Sequence, residues 1–250
     1  SKKNNYLASL SREGNLIGVA LLDISTGEFL ISRGKKELIE QILHNFSPSE
    51  IICSRTDKEY FESFYNNKSV FYLDDWIYKI GYAYDKLTSF FKVQNLKGYG
   101  IENLKEGIIS AGAVLFYLES TEHLDLGHIS SISRIEDDRY MWLDRFTIDN
   151  LEIISPLNEN SSSLLNIINH TVTPMGSRLL NRWIILPLLE KNLINERQDF
   201  VESFIGNLDL LKNIRTTLKN ISDIERIVSK ISIKRVNPKE LIQLKNSLKN

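Results

Sequence analysis

An α/β domain followed by an all-α domain is the fold class this sequence predicts. Three observations carry it. Up to about residue 125, apolar runs of strand length alternate with segments of helical period. Beyond it, helical spacing follows helical spacing. The composition is that of an ordinary globular chain, 42% hydrophobic, 25% charged and 10% aromatic over 250 residues, which excludes collagen, a coiled-coil rod and intrinsic disorder.

The elements follow in order. Tyr6–Leu10 and Leu16–Leu22 read as strands across the turn Arg12-Glu13-Gly14-Asn15. Asp23-Ile24-Ser25-Thr26-Gly27 is a second turn, and Glu28–Ile31 a third strand of an antiparallel meander. After Gly34 the period changes: Leu38, Ile39, Ile42 and Leu43 share a helix face up to Phe46, and Ser47-Pro48 ends it. Ile51-Ile52-Cys53 is a short buried strand, Lys58–Tyr65 a short helix, Val70–Leu73 a strand, and Asp74–Phe91 helical or mixed. Gly98-Tyr99-Gly100 is a loop. Ile108, Ala111, Leu115 and Leu118 then line one helix face, where Gly112 and Ala113 permit close packing. The order β-β-β-α-β-α-β-α-α implies a mixed sheet covered by helices and matches the outline of the ribonuclease-H-like fold.

The second part opens on a hairpin-like stretch, Met141–Leu143 and Leu151–Ile154. Thr173 caps the next helix with Pro174 at its first position, and Met175, Leu179 and Trp183 form a stripe that Pro187 stops. Asn192–Ile205 follows, ending at Gly206, and Leu208, Leu211, Ile214 and Leu218 mark another helix. Ser222 with Glu225 reads as a capping box opening a helix with Ile224, Ile227, Val228 and Ile231. Asn237-Pro238-Lys239-Glu240 repeats that logic ahead of Leu241, Leu244 and Leu248. The boundary is placed near Glu122–Gly127, giving domains 1–125 and 126–250.

Basic and acidic residues number 31 and 32, so the chain is no strongly basic histone-like binder. The lone Cys53 excludes an internal disulfide and a four-cysteine zinc site and fits a reducing compartment. No apolar run nears transmembrane length, and the polar start Ser1-Lys2-Lys3-Asn4-Asn5 is no signal peptide. A first residue other than Met and an end at Leu248-Lys249-Asn250 without a Gly cap or Pro breaker lead us to expect a piece of a longer protein.

The chemistry-bearing patterns are few. A phosphate-cradling loop needs Gly-x-x-x-x-Gly-Lys-[Ser/Thr]. At Gly34-Lys35 the preceding Gly27 is too far away and Lys36 replaces the hydroxyl residue. Lys35 reads as a solvated residue opening a helix. His44, His123, His128 and His170 show no metal-ligand spacing, and Cys53 reads as a core thiol. Asp23 ends a central strand where a two-metal nuclease would place a carboxylate, but the same residue caps an ordinary turn. Asp74 and Asp75 look equally like a helix start. Residues 211–250 hold ten Lys or Arg against three Asp or Glu. Lys212, Arg215, Lys219, Arg226, Lys230, Lys234, Arg235, Lys239, Lys245 and Lys249 could face DNA, and the reading as polar faces of amphipathic helices is preferred.

The stretch Thr171-Val172-Thr173-Pro174-Met175-Gly176-Ser177-Arg178-Leu179-Leu180 resembles the MutS family of DNA mismatch-repair proteins. Leu143-Asp144, Thr147, Asn150-Leu151-Glu152, Ser163-Leu164-Leu165, Trp183, Pro187-Leu188, Arg197-Gln198 and Asp223-Ile224-Glu225-Arg226 are similar to that family's core domain. Asp23-Ile24-Ser25-Thr26-Gly27 and Gly98-Tyr99-Gly100-Ile101-Glu102 resemble its connector. The resemblance runs from about Tyr6 to the end.

It implies a ribonuclease-H-like connector without nuclease activity, then the first part of a helical core or lever domain. The mismatch reader with its Phe-x-Glu, the clamp and the ATPase domain would lie elsewhere in a dimeric parent. No catalytic residue, cofactor or metal is expected in this chain; ATP and Mg²⁺ would belong to the parent. The implied partners are mismatched DNA through the parent, MutL, and a second copy in a homodimer, with no membrane and a cytoplasmic, nucleoid-associated bacterial setting. Tyr84, Asp85, Lys86 and Ser89 align with the MutL-contacting helix. Thr173, Pro174, Met175, Gly176, Arg178, Asp223, Glu225 and Arg226 are implied scaffold residues, in which Arg178 and Arg226 can pair with the two acids. A metal-dependent nuclease and a general DNA-binding helical module stand as the rival readings.

Overall fold

Leu16–Asp23 (β2) is the hinge of the architecture, because its two sets of side chains go to two different helices. It pairs antiparallel with Tyr6–Glu13 (β1) on one side and Glu28–Gly34 (β3) on the other. The computed structural model describes residues 4–64, 69–121, 126–135, 139–158 and 161–249. Tyr65, His123 and most of the expected boundary, Glu122 to Asp125, lie outside them, as do Ser1 to Lys3 and Asn250.

Gly14 turns β1 into β2 at φ +58, and Gly27 turns β2 into β3 at φ +79, backbone that a Cβ would strain. Glu50–Ser54 (β4) and Ser69–Leu73 (β5) add in parallel beyond β1, and Ser133–Arg134 (β6) adds in parallel beyond β3. The order is β5-β4-β1-β2-β3-β6. This sixth strand was not legible in the sequence: two polar residues carry no strand pattern.

Side chains alternate along β2. Ala20 and Leu22 face a cluster that includes Ile108, Ala111, Leu115 and Leu118 of Lys105–Ser120 (α4). The alternate residues Ile17, Val19 and Leu21 are buried and face the other side, where Lys36–Phe46 (α1) lies with Ile39, Ile42 and Leu43 turned inward. The short helix Lys58–Phe61 (α2) follows β4. Ile80–Phe91 (α3) packs on α4 where Gly112 meets Ala83, so closely that a Cβ on Gly112 would lie 2.6 Å from the Ala83 Cα. The meander and the alternation thus give the α/β domain expected.

A second compact unit holds most of the helical part, Glu136–Ile231 with Arg235–Asn250, and the bulk of the first is Asn5–Ile135. The second is helical: Arg145–Asn150 (α5), Leu164–Ile168 (α6), Pro174–Ile185 (α7), Lys191–Ile205 (α8), Leu208–Lys219 (α9), Ile224–Ser232 (α10) and Pro238–Lys249 (α11). The expected hairpin at Met141–Leu143 and Leu151–Ile154 does not form. Asp144 instead caps α5, accepting the Thr147 N–H at 2.8 Å, while Tyr140 makes one bridge to Leu188.

Of the two expected capping boxes one forms. Asn237 Oδ1 accepts the Glu240 N–H at 2.9 Å and the Glu240 carboxylate accepts the Asn237 N–H at 3.0 Å. The other does not: the Ser222 hydroxyl bonds Ser247 at 2.7 Å, Glu225 is taken by Arg178, and Asp223 accepts the Arg226 N–H in their place. Leu241 and Leu248 are exposed and Leu244 is half-buried.

Candidate functional site

Arg178 on α7 is a buried charged side chain of the helical unit. Its helix starts as a cap requires. Thr173 Oγ1 accepts the Gly176 N–H at 3.0 Å, and Pro174 takes the first helical position. A Cβ on Gly176 would lie 3.0 Å from that same oxygen, a tight contact that the Thr173 side chain would have to relieve by a few tenths of an ångström. Met175 is half-buried beside it. One helical turn on, Arg178 is only 6% exposed.

Its guanidinium meets Asp223 fork to fork, Nη1 to Oδ2 at 2.8 Å and Nη2 to Oδ1 at 2.7 Å, and Nη2 also donates to Glu225. Arg226 approaches Asp223 from the following turn with Nε at 3.8 Å. Bidentate charge-assisted bonds are among the strongest a protein makes. The hydrogen bonds to Asp223 raise the Arg178 pKa against the opposing effect of burial. Burial works against ionisation of Asp223, yet the bonds from Arg178 outweigh it and hold the carboxyl below its ordinary value. The four charged residues that the sequence singled out therefore form one cluster tying α7 to α10. Beyond them, Asn169 Nδ2 donates to Ser177 Oγ at 3.0 Å and Arg215 Nη2 to the His170 carbonyl at 3.0 Å. Arg197 lies over the Trp183 ring, 3.8 Å from its centroid. Sequence reasoning had no signal for the first two.

On the sheet domain, α3 places Tyr84, Asp85, Lys86 and Ser89 unequally. The Tyr84 hydroxyl donates to Glu102 Oε1 at 2.9 Å, and burial together with this bond raises its pKa. Lys86 pairs with Glu119 on α4. Asp85 and Ser89 stay exposed, one helical turn apart on one face. Two of the four thus hold the domain together and two face outward.

The other candidates resolve into structure. Asp23 is fully buried, and its carboxylate accepts the Asn5 and Ser25 N–H groups and the Ser25 hydroxyl, as a turn cap does. Lys35 precedes α1 and is exposed. Cys53 is buried in β4. The His128 ring meets the Ile24 carbonyl at 2.8 Å. Among the described residues, no group of three or more His, Cys, Asp or Glu could hold a metal ion, and no helix is long and apolar enough to cross a membrane. In the basic stretch, Lys230 pairs with Glu240, Lys212, Lys219, Lys239, Lys245 and Lys249 are exposed on helices, and Lys234 and Arg235 are exposed in the link between α10 and α11.

Comparison with known proteins gives this geometry a setting. Residues 5–130 match the model of MutS domain II, and residues 146–250 that of MutS domain III. The DNA mismatch repair protein MutS of Flavobacterium psychrophilum is 47% identical over 249 residues, 99% of this chain and 29% of the relative. That of Flavobacterium johnsoniae is 48% identical over the same shares, and that of Bacteroides fragilis 45% over 248 residues. The chain spans 29% of the length of these relatives.

Proposed function

The chain belongs to the MutS family, matching its domains II and III, and from that premise we propose that it is a non-catalytic module of a longer mismatch-repair protein. Its role is to link the parent's mismatch-binding and ATPase domains and to offer a contact surface for MutL. Mismatched DNA, ATP with Mg²⁺ and a second copy of the parent are engaged by the whole protein in the bacterial cytoplasm at the nucleoid, and this chain transmits between those sites.

The observation that carries the reading is the Arg178 fork. Coupling between distant sites needs elements that move as units. A buried bidentate pair between α7 and α10, sequence-distant helices of one domain, makes them one such unit. On the sheet domain, Asp85 and Ser89 are the outward pair through which α3 reaches a partner.

A segment exchange tests this. Residues 5–249 replace the matching segment of Flavobacterium johnsoniae MutS, and the mutation rate is measured in a repair-deficient strain. The exchange is expected to restore repair. With Arg178→Ala it is expected to fold and hydrolyse ATP while ATP no longer alters mismatched-DNA binding. ATP hydrolysis or Mg²⁺-dependent cleavage of nucleic acid by the isolated chain counts against the reading, as does an exchange protein that hydrolyses ATP without restoring repair.

A further inference from the structure

The two edges of the sheet are built differently. One ends in β6, two residues long and polar. The other is β5, five residues long, continuously paired with β4 on one side. Among the described residues, no main-chain group of Ser69–Leu73 bonds anything beyond that ladder except the Leu73 carbonyl, which accepts the Arg55 N–H at 3.0 Å. A strand with one neighbour leaves a row of N–H and C=O groups facing out. Natural edges are blunted by a charge, a proline or a bulge. Ser69-Val70-Phe71-Tyr72-Leu73 has no charge and no proline, and its register against β4 is unbroken.

The edge is also apolar on the face where its central residue stands. Phe71 is 42% exposed and rests on Tyr117 of α4, ring centroids 5.5 Å apart. Beside Tyr117, Phe116 carries Trp76, which is 51% exposed and also stands against Tyr82. On the opposite face of the strand the Lys58 ammonium sits over Tyr72.

We propose that β5 is a strand-addition site and that its occupant is β5 of a second copy, antiparallel about a twofold axis through Phe71. Main-chain hydrogen bonding is the chemistry an open edge recognises, and this sequence is complementary to itself. The register opposes Phe71 to Phe71, Val70 to Tyr72 and Ser69 to Leu73. Opposed residues of an antiparallel pair point to the same face, so the two Phe71–Tyr117 ledges meet and the Val70–Tyr72 pairs stack on the other side. A slip of one residue turns Phe71 to the wrong face. No like charges are opposed, because the strand has none. Strands β1 to β4 are each paired on both sides already. Five residues a side is a small interface, so the pairing is weak and depends on concentration. It does not rest on the functional reading above.

The test is sedimentation velocity on the 250-residue chain at rising concentration, with residue-resolved hydrogen exchange on the same samples. The expected result is a growing dimer and amides of Ser69–Leu73 that become protected as it forms. Phe71→Lys sets two ammonium groups across the axis and is expected to abolish the dimer over the same range. If that variant does not fold, the exchange pattern of the unsubstituted chain decides alone. Four results overturn the proposal: no dimer at the highest concentration, a dimer that survives Phe71→Lys, protection that grows only on the exposed residues of α8, α9 and α11, and protection of β5 that appears only with a different protein present.

Discussion

Arg178 and Asp223, forty-five residues apart in the chain, meet fork to fork in the helical unit with both N–H···O distances under 2.9 Å. The pair makes a local motif into a tertiary joint. Removing one member leaves the other buried without its counter-charge, which costs about 3–5 kcal/mol in comparable cases. Here Arg226 stays close to Asp223 and softens the loss, so Arg178→Ala is expected at the low end, about 3 kcal/mol. Arg178→Lys restores the charge but not the fork and is expected to recover only part of it. Urea unfolding followed by circular dichroism measures both. Equal midpoints for the Ala variant and the parent chain would show that the pair adds nothing.

The same pair gives an acid limb of known sign. Asp223 is held below its ordinary pKa in the folded chain, so the unfolded chain binds the proton more readily. Its contribution is complete above the unfolded value, near 4, and is lost as pH falls from there through the lower folded value. Asp223→Asn should therefore lower stability near neutrality and flatten its fall below about pH 4. Thermal unfolding across that range checks it; parallel curves for the two proteins would contradict the assignment.

What the sequence disclosed was what depends on near neighbours. Thr173, Pro174 and Gly176 make a cap within four residues, as do Asn237 and Glu240, and both were readable. The apolar run of β2 and the period of α4 were readable for the same reason, and with them the sheet-then-helices order. Ser222 and Glu225 had the spacing of a box, yet Ser247 and Arg178, both distant in the chain, claim their side chains. Met141–Leu143 and Leu151–Ile154 looked like paired strands until the Asp144 cap turned the chain between them into a helix. At the expected MutL-contacting helix, the division between inward Tyr84 and Lys86 and outward Asp85 and Ser89 was hidden, because it is set by Glu102 and Glu119, which only the fold brings near.

That division changes what charge reversal on α3 should do. Lys86→Glu opposes Glu119 with a like charge, and both groups are partly exposed, so the loss is about 1 kcal/mol or less. Adding Glu119→Lys restores the opposite charges and should restore stability, a coupling that a double-mutant cycle reads directly. Asp85→Lys and Ser89→Arg should leave stability within about 0.5 kcal/mol, as surface changes usually do, and weaken MutL binding measured by calorimetry. Unchanged MutL binding in the Asp85 and Ser89 double variant would remove this face from the contact.

A close approach of backbone to backbone in the sheet domain supplies the sharpest stability test. Gly18 on β2 lies under the start of α4, and a Cβ there would sit 2.1 Å from the Glu106 carbonyl carbon and oxygen and 2.6 Å from the Gly107 nitrogen. All three are main-chain atoms, so no side chain can swing aside. Two bonds across this contact set the spacing: Ser11 Oγ donates to the Glu106 carbonyl at 2.7 Å, and Ser110 Oγ to the Gly18 carbonyl at 3.0 Å. Gly18→Ala must push α4 off the sheet, stretching both bonds and opening the core around Ala20 and Ile108. Overpacking of this kind costs about 1–3 kcal/mol, and a clash with backbone alone belongs at the upper end. Gly81 provides the contrast. It lies in α3 with nothing within 4 Å of an added Cβ, so Gly81→Ala should stabilise by about 0.4–1 kcal/mol through the unfolded chain. Urea titration of both variants reads the two signs in one experiment. A Gly18→Ala chain that unfolds at the parent's midpoint would mean that α4 does not lie against β2 at this distance.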